Sequence, residues 1–261
     1  MEITNALRKT ITSLSTLKGR RENNLFVVEG TKGITETLPY FTLHSFWATP
    51  KWVETNRDIL PAEIEISVLP NREFERLSFL KNPQGCLAVY QIPEKIDFNI
   101  AVAKGNLILA LDGVQDPGNL GTIIRVADWF GIRTIIASEN TADNFSPKVV
   151  QATMGAIGRV NVYYCDLAET LRELGVEVPV FGTFLDGENM FTADLPAREG
   201  VIVMGNEGNG ISAEVAASVT RRLLIPSFPA SGDGNVVESL NVGTATAITV
   251  AEFRRRLSFK Q

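Results

Sequence analysis

Apolar positions along this chain recur with two alternating periods. Ile3, Leu7, Ile11 and Leu14 fall at near-helical spacing and predict an amphipathic opening helix. Short apolar runs follow, predicting strands over 25–28, 43–48, 64–69 and 85–92. Between them the pattern predicts helices over 30–38 and, after a cap-like Asn71, over 73–79.

From Asn106 the alternation becomes regular. Strands are predicted over 107–111, 134–137, 160–164, 178–184, 201–204 and 222–225. Helices are predicted over 119–130 with Gly131 as its stop, from Ser146-Pro147 to 156, from the capping box opened by Asp166 to Gly175, briefly after Ser212, and over 239–257. Strands alternating with helices imply an α/β fold with a mostly parallel sheet covered by helices. Residues 93–105 mix charge, proline and glycine and read as a connection. The expected organisation is therefore a small α/β domain over 1–95, a linker over 96–105 and a second domain over 106–261.

Composition narrows the chemistry. The single histidine, His44, lies in a predicted strand and reads as a packed or half-exposed structural residue, so a zinc site or a Ser-His-Asp triad has little to draw on. Cys86 and Cys165 sit in strand-like runs without metal-ligand spacing and read as buried, inert thiols. No metal is expected. No apolar run approaches the ~20 residues of a membrane span, and no signal-peptide core follows the charged start, so no membrane partner and a cytoplasmic location are expected. The net charge of −5 argues against a broadly basic nucleic-acid binder, but the charge is uneven. Residues 1–95 hold 12 Lys/Arg against 11 Asp/Glu, and residues 96–261 hold 13 against 19. Arg8, Lys9, Lys18, Arg20 and Arg21 face only Glu2 and Glu22 in the opening stretch.

Three segments carry the functional signal. The first is Leu111-Asp112-Gly113-Val114-Gln115-Asp116-Pro117-Gly118-Asn119-Leu120-Gly121-Thr122-Ile123-Ile124-Arg125, a strand-to-helix turn. The second is Gly205-Asn206-Glu207-Gly208-Asn209-Gly210-Ile211-Ser212, and the third Ser239-Leu240-Asn241-Val242. Neither glycine loop holds Gly-Lys-Ser/Thr, which rejects a P-loop, and neither matches Gly-x-Gly-x-x-Gly at a strand-to-helix turn. The ordered triplet resembles the signature of the SpoU (TrmH-like) branch of the SPOUT methyltransferases. The run Phe26-Val27-Val28-Glu29-Gly30 resembles the small α/β RNA-substrate-binding domain that precedes many SpoU catalytic domains.

The resemblance implies transfer of a methyl group from S-adenosylmethionine to the 2′-hydroxyl of an RNA ribose, in ribosomal RNA before transfer RNA. It implies a SPOUT domain whose C-terminal chain threads a trefoil knot, and a homodimer helped by the last helix. It implies catalytic-site places for Arg125, Asn119, Glu207, Ser239 and Asn241, and cofactor contacts at Gly205, Ile225 and Leu240, with Thr183 a further candidate. Arg125 points away from the apolar stripe Leu120, Ile123, Ile124 and Ala127. Its role is expected to be phosphate binding and stabilisation of a developing alkoxide, with base action as the alternative. Asn119 could equally be a helix cap, Ser239 the cap of the last helix, and Glu207 an ion-pair partner of Arg125. Arg254, Arg255 and Arg256 suit the end of that helix, and an RNA contact there is optional. Residues 227–238 exceed the family's usual spacing and could form a lid or a tolerated insertion; Ser231-Gly232-Asp233-Gly234-Asn235 has turn chemistry. The competing reading is a non-catalytic RNA-binding protein on the same scaffold.

Overall fold

The computed structural model describes residues 3–228 and 239–257, and the chain divides into two compact units. The Ser231–Asn235 turn and most of the 227–238 segment lie outside the described residues.

The first unit comprises residues 1–95 together with 143–159. Its elements are α1 (Asn5–Ser13), α2 (Leu17–Asn23), β1 (Leu25–Glu29), α3 (Thr31–Thr37), β2 (Leu43–Ala48), α4 (Pro50–Asn56), β3 (Ile66–Val68), α5 (Asn71–Glu75) and β4 (Cys86–Gln91). The sheet runs in the order β1-β4-β2-β3, with β4 antiparallel to both neighbours and β2 parallel to β3. One face packs Ile11, Leu14, Val27, Trp47, Leu69, Phe74 and Leu87; the other packs Phe26, Ile34, Phe46, Trp52, Ala88 and Tyr90. Burying each such large side chain contributes roughly 1.5–3 kcal/mol.

The helix α7 (Pro147–Thr153) follows the second unit's early strands in sequence but belongs to this first unit. Phe145 lies against Phe26 at 4.7 Å between ring centroids, and Val150 and Ile157 join the same core. Two ion pairs hold the segment at its ends, Arg20–Asp143 at 2.5 Å and Arg159–Glu36 at 2.8 Å. The helix ends at Thr153 rather than residue 156, because Met154 and Gly155 take left-handed backbone before a 3₁₀ turn at Ala156–Gly158.

Three further expectations change in this unit. The helix after Asn71 starts and stops earlier than predicted. The Phe79 N–H is taken by buried Glu29, whose carboxylate also accepts from Ser78 Oγ, both at 2.6 Å. Burial raises the Glu29 carboxyl above the usual range. The unpredicted α4 has a readable cap, since Thr49 Oγ1 accepts from the Trp52 N–H and Pro50 opens the first turn. His44 is exposed rather than packed.

The second unit comprises residues 96–142 and 160–261. Its elements are β5 (Leu107–Leu111), α6 (Pro117–Trp129), β6 (Thr134–Ser138), β7 (Asn161–Cys165), α8 (Leu167–Leu174), β8 (Val180–Asn189), β9 (Gly200–Met204), α9 (Ala213–Ala216), β10 (Arg221–Leu224) and α10 (Val242–Arg255). All pairings in the sheet, ordered β10-β8-β9-β5-β6-β7, are parallel. Every strand therefore presents its carboxyl end to the same edge. β5 and β9 are buried along their whole length, which explains their unbroken apolar sequence. Residues 96–105 are more than a tether: Ile100–Ala103 forms a 3₁₀ turn, Ala103 is fully buried beside Ile108 and Leu171, and Phe98 packs on Tyr163. β8 runs five residues past its predicted end. It leaves β9 after Gly182 and rejoins β10 at Glu188, bulging over 183–187.

Candidate active site

The first segment leaves the carboxyl end of β5 as Asp112-Gly113. Asp112 is buried, and its carboxylate accepts from the Ser212 N–H at 2.7 Å. Asn206 donates to the Gly113 carbonyl at 2.7 Å, and its other side-chain atom accepts from the Gly208 and Asn209 N–H groups. Backbone bonds between Asn206 and Gly210 close the loop in both directions. The second glycine segment is therefore a pinned loop. Gly205 serves that closure: a Cβ there would lie 2.3 Å from the Gly210 and Ile211 backbone. Gly210 instead adopts φ +68 with open space at its Cβ position.

α6 starts at Pro117, capped by Asp116, whose side chain accepts from the Asn119 N–H at 2.9 Å. Asn119 is thus not the cap, and its amide is released for other work. Asn119 Nδ2 donates to Glu207 Oε1 at 2.8 Å, and Asn119 Oδ1 accepts from Asn241 Nδ2, also at 2.8 Å. Asn241 in turn caps α10 through Oδ1, accepting from the Gly243 and Thr244 N–H groups. It replaces Ser239 as the cap, and α10 begins three residues later than expected. The three segments are joined by one hydrogen-bonded chain, from the start of α10 through Asn119 to Glu207. A carboxylate accepts only, so its position fixes the direction of both amides.

Arg125 is exposed on α6 and, among the described residues, makes no ion pair. The expected Arg125–Glu207 pair does not form. Six residues separate Asn119 from Arg125, about 9 Å along a helix and a third of a turn around it, and Glu207 is instead engaged by the Asn119 amide. Close packing of α10 on α6 brings Gly243 to Thr122, where a Cβ would stand 3.1 Å from Thr122 Cγ2.

The remaining predicted contacts lie along the same carboxyl edge. Gly205 follows β9, Ile225 follows β10, and Leu240 precedes Asn241. Thr183 is half-buried at the first residue of the β8 bulge, with Oγ1 3.5 Å from the Val203 carbonyl, inside a strand rather than before a loop. Ser239 is exposed at the described start of the third segment. Asp112 and Asn206 were not singled out by sequence reasoning; an Asp-Gly pair directly after a fully apolar strand was the available signal for the first. The three arginines closing α10 serve the fold. Arg254 donates to the Phe130 and Ala197 carbonyls, and Arg256 to those of Ala193 and Met190. Arg255 and Arg256 both pair with Glu252, holding its carboxyl down at about 2.

Among the described residues no group of three or more His, Cys, Asp or Glu could hold a metal, and no helix is long and apolar enough to cross a membrane. The N–H groups of Gly205, Ile225 and Leu240 engage no other described backbone group, and apolar side chains stand beside two of them. Backbone donors without a described partner at Ile225 and Leu240 fit a flat nucleoside edge without calling for a charged side chain.

Comparison with known proteins identifies the family. Residues 106–251 match the SpoU rRNA methylase family, and residues 5–88 match the MRM3-like substrate binding domain. The 23S rRNA (guanosine(2553)-2′-O)-methyltransferase RlmP of Bacillus subtilis is 30% identical, covering 92% of this chain and 93% of its own length. A structure from Porphyromonas gingivalis, assigned to the TrmH family of RNA methyltransferases, superposes with a TM-score of 0.86 at 40% identity, covering 98% of this chain and all of its own. An AdoMet-bound rRNA methyltransferase from Sinorhizobium meliloti superposes at 0.82 with 29% identity, covering 98% and 97%. The chain belongs to the SpoU rRNA methylase family and is an RNA methyltransferase that uses S-adenosylmethionine.

Proposed function

We propose that this protein methylates the 2′-hydroxyl of one ribose in large-subunit ribosomal RNA, with transfer RNA as the lesser candidate. The observation that carries this reading is the Asn241–Asn119–Glu207 chain, which ties all three segments together, with Arg125 exposed on the same helix as Asn119. When bound, S-adenosylmethionine supplies an electrophilic methyl group on a sulfonium. The protein's task is then orientation, which contributes up to roughly 7–11 kcal/mol in favourable cases. The backbone at Gly205, Ile225 and Leu240, with the Thr183 hydroxyl nearby, holds the nucleoside part. Arg125 binds the phosphate beside the target ribose and stabilises the oxygen as its proton leaves. A guanidinium with pKa above ~12 serves poorly as the base. Asn119 and Asn241 hold the Glu207 loop in register with α6, and Ser239 orients the ribose.

In this reading residues 1–95 capture substrate and residues 106–261 carry the chemistry, with the C-terminal chain threaded as a trefoil knot. Two copies pair through the face containing α10, and the enzyme works in the cytoplasm, where ribosomes assemble. The test is incubation with tritiated S-adenosylmethionine and, separately, unmodified rRNA and tRNA. Label confined to one rRNA nucleotide and lost in Arg125→Ala is the expected result. Binding of RNA without any binding of S-adenosylmethionine would leave a non-catalytic RNA-binding protein instead.

A further inference from the structure

The first unit is electrically polarised across its sheet. Because β1, β2 and β3 all run antiparallel to β4 or parallel to one another, the ends of those three strands and the start of β4 share one edge. The segments emerging there are 30–33, 49–52 and the whole β3–β4 connection, 69–85. They contain Lys32, Lys51, Arg72, Arg76 and Lys81 against Glu73 and Glu75, and Glu73 is paired with Arg8. All five cationic side chains are exposed, and among the described residues none makes an ion pair. The opposite edge, at 23–24, 38–42, 57–65 and 92–95, carries Asp58, Glu63, Glu65 and Glu94 against Arg57 and Lys95. Arg57 is occupied there with the carbonyls of Leu60, Pro61, Ala62 and Ile64.

The basic edge is also held together as one surface. Trp52 Nε1 donates to Thr31 Oγ1 at 2.7 Å, the Thr49 N–H donates to the Gly85 carbonyl at 2.9 Å, and the Gly30 N–H donates to the Cys86 carbonyl at 3.1 Å. Glu29, at the end of β1, is buried and spent on Ser78 and Phe79. Lys32 and Lys51 stand in the first turns of α3 and α4, where a cation gains nothing from the helix dipole, so helix stability does not explain them. The N-terminal basic stretch is a weaker candidate: Arg8 pairs with Glu73, Lys18 with Glu22, and buried Arg20 with Asp143.

We infer that the edge bearing Lys32, Lys51, Arg72 and Lys81 is the surface on which the first unit grips the phosphate backbone of the RNA substrate. The inference rests on the reading of the protein as an RNA methyltransferase and assigns the place of capture within it. Neutralised phosphates release counterions, so each contact adds about 0.7–0.9 to the slope of log affinity against log salt. The test uses the full chain, an in vitro transcript of 23S rRNA and fluorescence anisotropy across a salt series. The triple variant Lys32→Gln, Lys51→Gln, Lys81→Gln is expected to bind about tenfold or more weakly, with a slope lower by about two. Its melting temperature and its affinity for S-adenosylmethionine should match wild type. Lys9→Gln, Lys18→Gln, Arg21→Gln removes the same charge elsewhere and should change the slope by less than one. Equal losses in the two variants, or wild-type binding by the first, would overturn the assignment while leaving the enzyme reading intact. A wild-type protein that neither binds nor labels the transcript would overturn both.

Discussion

The carboxyl edges of the two sheets are built from opposite materials. In the first unit the edge offers an excess of cations on long side chains. In the second it offers glycine-rich backbone, paired amides and the Glu207 carboxylate held by Asn119. Cations on flexible stems suit a partner recognised by charge over a wide surface. Short amides locked at both ends suit a reaction that depends on placement, because a one-ångström error there is costly. The contrast separates capture from chemistry, and variants at each edge should fail in different ways.

Arg125→Ala should have the largest effect, lowering kcat by about 10²–10³-fold, comparable to removing one donor from an oxyanion site. RNA affinity should fall far less, which a single-turnover assay beside a binding titration would reveal. Asn119→Ala should cost about tenfold or more in methyl transfer by freeing the Glu207 loop. A double-mutant cycle between Asn119 and Glu207 should show coupling of about 1 kcal/mol or more, whereas Arg125 and Glu207 should be additive. Coupling of the second pair but not the first would reverse the assignment of partners.

Glu252→Gln tests support for α10 rather than the edge itself. It should destabilise the fold by about 2 kcal/mol, since Arg255 and Arg256 lose charged acceptors. The depressed Glu252 carboxyl, at about 2, contributes stability that is complete above its usual value near 4.5. That contribution is lost as pH falls toward 2, and the glutamine variant should lose less over the same interval in acid-unfolding curves. The smallest effect concerns Cys86. Burial pushes its thiol up to about 11, so a thiol reagent at pH 8 should leave it unmodified until the first unit unfolds.

Much of this was legible in the sequence because the strands of the second unit are apolar throughout and their helices carry strong caps. Less legible was competition between capping residues. Asp116-Pro117 outranks Asn119 as a helix start, and that choice is what turns Asn119 into a bridge. Similarly, Asn241 rather than Ser239 caps α10, so one residue both closes a helix and joins two segments. Long-range partners leave no periodic trace: nothing in the pattern around Ser78 announces Glu29, and nothing around Asp143 announces Arg20. The same limit hid the packing of Val150 and Ile157 on the core of the first sheet, since apolar positions in α7 suit either core. Charge polarity across the first sheet was hidden too, because its cations lie in three separate connections and only strand order collects them.

The most direct test of the central claim is chemical. A ribose methylated at its 2′-oxygen can no longer attack the adjacent phosphodiester, so alkaline hydrolysis of 23S rRNA treated with enzyme and S-adenosylmethionine should leave one protected bond. The account predicts a single gap in the hydrolysis ladder, present with wild-type protein and absent with Arg125→Ala. Methyl incorporation into rRNA with an unbroken ladder would place the group on a base and contradict it.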